Sequence, residues 1–388
     1  MFRNFSFIIA FHEAIPIGPS FDLKKLLFIT PPKKLLFISH PLLYNKLAYK
    51  NSSWSEYYEE GKLISKKKAF HWILPEGLLY IKDVIYTLIW CIPLKDQFDV
   101  FIGLNPLNAL IGLILRKIGK VEKVVYYSID YFPQRFSNNL VNKLYHLVDK
   151  ISVKFADETW NVSPNMVKSR QNFHKDLSLR KKQFTVPIVA WVKSIKRMKL
   201  NKIDKNRLVF IGLLDKSSGL ELILQAFPKI VGKNKAVKLD VIGGGPNLDY
   251  LKQMSKDLNI NSHVIFHDWV INRKRVEEII SQAAVGLVLF NPKKFGEEIK
   301  NADPMKIKDY MSLGLPIIST DAILTADEIR KSESGIIIRF DEDELASAVL
   351  KLLGDENLLK IYKQNAIKYI SRFDAEKVYG DNLRRVLI

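Results

Sequence analysis

Apolar and polar positions along this chain follow two rhythms, and the alternation between them predicts a series of strand–helix units. Apolar runs of about four to eight residues, bounded by turn formers, read as strands covered on both faces. They occur at Leu35–Ser39, Phe98–Gly103, Lys123–Ser128 and Glu158–Ser163, and again from Arg207, Val237, His263, Val285, Leu315 and Gly335. Longer amphipathic stretches separate them. Ser163 followed by Pro164 reads as a helix N-cap with proline at the first helical position. The chain closes on helices at Glu342–Leu353, from Glu356 to about Arg372, and from Asp374, a candidate cap, to about Leu387.

Strands that alternate with helices predict parallel, doubly wound sheets. The two series are separated by the lysine-rich stretch Lys193–Lys205, read as a linker. The expected architecture is α/β, with two Rossmann-like domains at 34–195 and 206–373. Residues 374–388 return to pack on the first domain. KKLLFITPP from Lys24 is repeated as KKLLFISHP from Lys33. Each copy reads as a short buried strand. The second is taken as the first strand of the fold and residues 1–33 as an extension outside it. Ligands of open α/β sheets bind beyond the carboxyl ends of the strands, so both sheets are expected to face a central cleft.

The length of 388 residues suits two such domains. A single cysteine, Cys91, excludes a disulfide framework and a multi-cysteine metal site, and the histidines show no ligand spacing, so no metal is expected. Charge changes the picture more. Residues 1–200 carry 31 Lys and Arg against 15 Asp and Glu, whereas residues 201–388 carry 29 against 26. A basic first half favours an anionic partner, and nothing in it reads as a nucleic-acid motif. The most apolar stretch, Leu78–Leu94, contains Lys82, Asp83 and Pro93, and its uncharged run falls short of the roughly 20 residues needed to cross a bilayer. The apolar run after Arg3 is cut by His12 and Glu13 and lacks a cleavage signal. The expectation is a cytoplasmic protein with a peripheral contact on the inner face of the cell membrane.

Candidate chemistry concentrates in the second half. VFIGLLDKSSGLELILQAF places Gly212 at a strand end and Gly219 at a helix start, where backbone N–H groups can approach a phosphate. A second strand ends in Gly243, Gly244, Gly245 and Pro246. Leu248 at the sixth position excludes the dinucleotide fingerprint. In NADPMKIKDYMSLGLPIIST, Asp303 and Pro304 can cap a helix that ends at Gly314. Lys306 and Asp309 lie three apart on one face of that helix. A helix N-terminus with a nearby cation suits a diphosphate, and a carboxylate one turn on can accept both hydroxyls of a ribose.

These segments, in this order and spacing, resemble the GT-B glycosyltransferases, in particular the large retaining family 4 group. The resemblance runs through Gly212, Gly219, Gln225-Ala226, Gly243 to Pro246, VIFHDWV from Val264, and Asp309 to Ile318, about 165 residues in all. It implies transfer of a sugar from a nucleoside-diphosphate donor to an acceptor hydroxyl, with retention and no obligatory metal. The acceptor is expected to be a glycan or a lipid-linked precursor. The family's ribose-binding acid falls on Asp309. The acid eight residues earlier falls on Asn301, with Asp303 the nearest substitute. The family's two diphosphate-binding cations fall on Leu213 and Ser218, so Lys216 and Lys306 are the expected replacements. Base contacts fall around Trp269 and Val270. In the first half, VVYYSIDYFPQRF resembles the family strand that often ends in His-Asp, and Asp130 falls where that histidine would be, a candidate catalytic residue with Arg135 also expected to face the cleft. His40 also follows a strand end. A non-catalytic nucleotide-sugar-binding scaffold and a GT-B nucleotide-sugar epimerase are the alternatives.

Overall fold

A computed structural model describes residues 2–13, 16–42, 52–71, 76–180 and 182–388. The chain divides into two compact units, Met1–Val189 with Ala375–Ile388, and Ala190–Asp374.

The first unit runs β1 (Ser6–Glu13), α1 (Pro19–Ile29), β2 (Lys34–Pro41), β3 (Trp54–Glu59), β4 (Lys62–Lys68), α2 (Glu76–Cys91), β5 (Phe98–Leu104), α3 (Pro106–Lys117), β6 (Val121–Ser128), α4 (Asn139–Phe155), β7 (Glu158–Asn161), α5 (Pro164–His174) and β8 (Gln183–Thr185). Its sheet has the order β4-β3-β2-β1-β5-β6-β7-β8. The pairings are parallel from β2 to β8, and β3 and β4 join antiparallel.

Residues 1–33 are therefore not an extension. β1 lies between β2 and β5 and is buried over seven of its eight residues. His12 and Glu13, which interrupt the apolar run FSFIIAF, are the last two residues of this strand. The first copy of the repeat is helix α1 rather than a strand. Pro19 opens it, and Leu23, Leu26 and Leu27 supply its buried face. The β3–β4 hairpin also departs from the expected purely parallel sheet. Its outer strand is polar and lysine-rich, a composition that protects an exposed sheet edge and gives no apolar run to detect.

The second unit runs β9 (Arg207–Ile211), α6 (Leu220–Lys233), β10 (Lys238–Ile242), α7 (Leu248–Asp257), β11 (Val264–Phe266), α8 (Arg273–Gln282), β12 (Val285–Val288), α9 (Pro292–Phe295), α10 (Met305–Ser312), β13 (Ile317–Thr320), α11 (Ala326–Lys331), β14 (Gly335–Ile338), α12 (Glu342–Gly354) and α13 (Glu356–Ile370). The last helix, α14 (Ala375–Leu387), belongs to the first unit and contacts α1 and β5. The second sheet is parallel throughout in the order β11-β10-β9-β12-β13-β14. Counted within the unit this is 3-2-1-4-5-6, so the strand order reverses between β9 and β12, the point at which such sheets bind ligands.

The stretch read as a linker is part of the second unit. Val192 and Ile195 pack on one side of its core and Met198 and Leu200 on the other. Arg197 donates from Nε to the Ser312 carbonyl at 2.8 Å. Its lysines point outward and conceal the apolar residues between them.

Candidate functional site

The site in the second unit is built on three turns. The Gly212 N–H donates to the Ile242 carbonyl at 3.1 Å, and the Gly243 N–H to the Asp268 carbonyl at 2.8 Å. The Leu214 N–H donates to the Gly244 carbonyl at 3.0 Å. The turns after β9, β10 and β11 are thus bonded edge to edge. Gly243 has φ +139°, and a Cβ there would collide with the Gly212 carbonyl; one at Gly244 would collide with the Trp269 indole. Gly245 approaches the Leu214 carbonyl as closely. The N–H groups of Gly212 and Gly243 are engaged within the protein. The amide of Gly212 is therefore not free for the phosphate contact expected of it, and the missing side chain serves close packing of the turns; Gly219, with φ +72°, is the left-handed N-cap of α6.

Gly212 also makes room for a cation. A Cβ on it would lie 2.9 Å from Lys306 Nζ. The ammonium stands 4.9 Å from the Phe210 ring centroid and 5.0 Å from that of Phe290, so the ends of β9 and β12 flank it. This is the strand-order switch point of the sheet. Among the described residues Lys306 forms no ion pair. Burial pushes its pKa down to about 8, with the Asp215 carboxylate pulling the other way.

Tyr310, one turn along α10, fixes this placement. It is fully buried, its ring packs against Gly286, and its hydroxyl accepts from the Ile211 N–H at 2.7 Å. Sequence reading absorbed Tyr310 into a motif without assigning it this work. Tyr310→Phe removes the acceptor and leaves a buried N–H unpaired. A loss of about 1–3 kcal/mol is expected, read as a fall in the thermal midpoint.

The remaining candidates divide. Asp309 lies one turn from Lys306 and is held by Arg273 NH2 at 2.5 Å, while Arg273 Nε donates to Glu277 at 3.0 Å. Arg273, the first residue of α8, went unremarked because only the fold brings it to Asp309. Asp303 does not cap α10: Pro304 is the N-cap and no side chain caps it. The Asp303 carboxylate pairs with Lys308 Nζ at 2.9 Å, and that ammonium lies 3.5 Å from the Phe373 ring centroid. Lys216 is exposed on the loop after β9, and its neighbour Asp215 is occupied by the Ser217 N–H and hydroxyl. Ser218, standing where a cation was expected, is buried and donates to the Asp215 carbonyl. Trp269 is exposed beside the glycine turn, and Val270 packs against the core.

Asp130 belongs to the first unit, where Arg135 NH1 holds it at 2.6 Å. His40 is fully buried, with Nε2 2.8 Å from the Thr87 hydroxyl. Its Nδ1 lies 3.3 Å from Asp83 without hydrogen-bond geometry, and burial lowers its pKa. This is the environment of a structural histidine.

Residues 192–369 match the family described as glycosyl transferases group 1. The N-acetyl-alpha-D-glucosaminyl L-malate synthase of Bacillus anthracis is 24% identical over 259 residues, which cover 64% of this chain and 59% of that protein. The chain spans less than two thirds of the length of the first curated relatives it matches. Among solved structures, sucrose-phosphate synthase from Thermosynechococcus elongatus superposes with a TM-score of 0.70 at 13% identity, covering 98% of each chain. HepE from Anabaena, solved in complex with UDP, superposes with a TM-score of 0.64 at 14% identity, covering 98% of this chain and 99% of its own. The fold is that of the GT-B glycosyltransferases.

Proposed function

We propose, from the premise that residues 192–369 form a group 1 glycosyltransferase domain on a GT-B fold, that this chain transfers a sugar from a nucleoside-diphosphate donor to an acceptor hydroxyl. The observation that carries this reading is the Lys306 ammonium, flanked by Phe210 and Phe290 at the switch point and held against Gly212. A cation in a partly desolvated crevice suits the charge that develops on a departing diphosphate. Lys216 supplies a second, exposed cation from the adjoining loop. Asp309 takes the ribose hydroxyls, with Arg273 orienting it. Trp269 and Val270 flank the base, and Asp303 and Pro304 border the donor sugar. The glycine turns at 212, 243 and 245 give the donor its close approach. Asp130 serves on the acceptor side.

Lys306 meets the leaving-group charge in this scheme, and no resident metal is required. The transfer proceeds with retention. The acceptor is a surface glycan or a lipid-linked precursor, reached from the inner face of the membrane. Solved relatives bound to UDP and UDP-glucose favour a uridine donor for testing first.

The test is thermal unfolding against a panel of nucleoside-diphosphate sugars, followed by measurement of nucleotide release. One donor should raise the midpoint, as ligand binding to the folded state requires. Nucleotide release should then depend on an added acceptor. No stabilisation by any donor overturns the reading, and donor turnover to an epimer without acceptor replaces it. Asp309→Ala should weaken donor binding roughly tenfold, the loss of about 1.4 kcal/mol of polar contact.

A further inference from the structure

The first sheet has a switch point of its own, between β1 and β5, and a cavity of about 180 Å³ lies at it. His12, Tyr80, Asn105, Arg135, Tyr145 and Val148 are among its walls. The space equals about six water-sized groups. The histidine, the asparagine and the arginine among its walls are already committed. Asn105 Oδ1 accepts from the Asn108 N–H at 2.8 Å, so Asn105 Nδ2 donates to His12 Nδ1 at 2.7 Å. Asn108 Nδ2 also lies 3.2 Å from that nitrogen. His12 Nε2 therefore carries the proton and donates it to Asp83 at 3.2 Å. Asp83 further accepts from Ser53 at 2.8 Å. Arg135 is paired with Asp130. A ligand entering here meets mostly carbon, from Leu107, Phe136, Val141, Leu144 and Val148.

The helices around the cavity continue that surface outward. On α2, Leu78, Ile81, Ile85 and Ile89 recur at helical spacing on one side, and each is about half exposed. On α4, Leu140, Leu144 and Leu147 do the same. Ile114 and Ile118 of and beside α3 are exposed between them. A contiguous apolar face of this kind marks an interaction surface. The charges on it have one sign. Among the described side chains of α2, α3 and α4, the carboxylates Asp83 and Asp149 are buried, while Lys117, Lys143 and Lys154 are exposed. Two copies meeting face to face about a twofold axis would bring like charges together, whereas an anionic surface would be attracted. None of the described helices is long and apolar enough to cross a membrane.

We propose that the α2–α3–α4 face rests on an anionic bilayer and that the cavity at the β1–β5 switch point takes one hydrocarbon chain of a membrane amphiphile. The identification of that amphiphile as the acceptor rests on the transferase reading; the docking itself does not.

Sedimentation of the full chain with vesicles tests it. Binding to vesicles of equal parts phosphatidylcholine and phosphatidylglycerol should exceed binding to phosphatidylcholine alone by at least about tenfold, since each basic residue near such a surface contributes on the order of 1 kcal/mol. It should fall as salt is raised. Ile85→Glu with Ile89→Glu should reduce vesicle binding at least about tenfold. Leu144→Trp, at the cavity mouth, should abolish stabilisation by dodecyl phosphate added below its micelle concentration. Donor stabilisation, which reports the second unit, should survive in both variants, so failure of the lipid reading is separable from failure of the transferase reading. Binding indifferent to lipid charge and salt in the unsubstituted chain overturns the proposal whether or not the variants fold. So does a dimer, seen by light scattering, that the Ile85 and Ile89 substitutions dissolve.

Discussion

Lys306→Ala is expected to lower kcat by about ten- to a hundredfold, while the thermal midpoint falls little or rises. A charge-assisted contact to a diphosphate contributes on the order of 1.5–3 kcal/mol, and each 1.4 kcal/mol in the barrier is tenfold in rate. The fold does not depend on the ammonium, because among the described residues it forms no ion pair and burial already disfavours its charge. Its pH behaviour makes the assignment sharper. With a pKa of about 8 in the free protein, the group is charged below that pH and loses its charge above it. Donor diphosphate binds the charged form and raises the pKa, so kcat/KM should be flat below about pH 8 and decline above it. Stability moves the other way. An unfolded lysine titrates near 10.4, so between about 8 and 10.4 the unfolded chain holds more protons at this position. The Lys306 contribution to stability therefore improves as pH rises through that window. Lys306→Gln should erase both trends together. A pH–rate profile that keeps its alkaline limb in Lys306→Gln would remove Lys306 from the leaving-group role.

How far the chain could be read in advance differs between its halves for physical reasons. The inner strands β9, β10, β12 and β13 are largely covered on both faces and are therefore near-continuous apolar runs, which one sequence displays directly. The Lys306–Asp309 helix could be placed because its proline, its terminal glycine and its charge spacing are all local. The surroundings of Lys306 could not. Phe210 lies in β9 and Phe290 two residues beyond β12, far apart in the chain, and only the sheet order makes them neighbours. Arg273 meets Asp309 by the same route. β1 escapes a local reading because its apolar run carries no sign of the two strands it joins; its pairing with β2 and β5 makes it central. The β3–β4 hairpin was missed because an edge strand that faces water carries lysine rather than apolar residues. Local signals thus located the donor-side motif, and the long-range pairings decided which side chains face it.

Arg170 illustrates the same limit and carries the largest expected effect on stability. In sequence it is one of several basic residues on a polar helix; in the fold it is completely buried. Its Nε donates to Asp149 at 2.8 Å, and NH1 donates to Asn161 at 2.9 Å and Gln183 at 2.8 Å. NH2 reaches Ser128 at 3.1 Å, and Asp149 accepts from Tyr126 at 2.8 Å. One guanidinium thus gathers groups from β6, β7, β8 and α4. Arg170→Ala leaves the Asp149 carboxylate buried without its counter-charge, and a loss of about 3–5 kcal/mol is expected in denaturant unfolding of the first unit. The loss is dominated by the stranded charge rather than by the attraction removed. Asp149→Leu combined with Arg170→Met should therefore recover most of it, since an apolar pair of similar volume has no charge to strand. Ser128 also donates to the Asp130 carbonyl at 3.1 Å, so the network reaches the strand end that presents Asp130. The double variant should then be stable yet impaired in transfer to acceptor, with donor stabilisation intact. If it is as unstable as Arg170→Ala alone, the network's hydrogen bonds, and not its buried charge, hold these strands together.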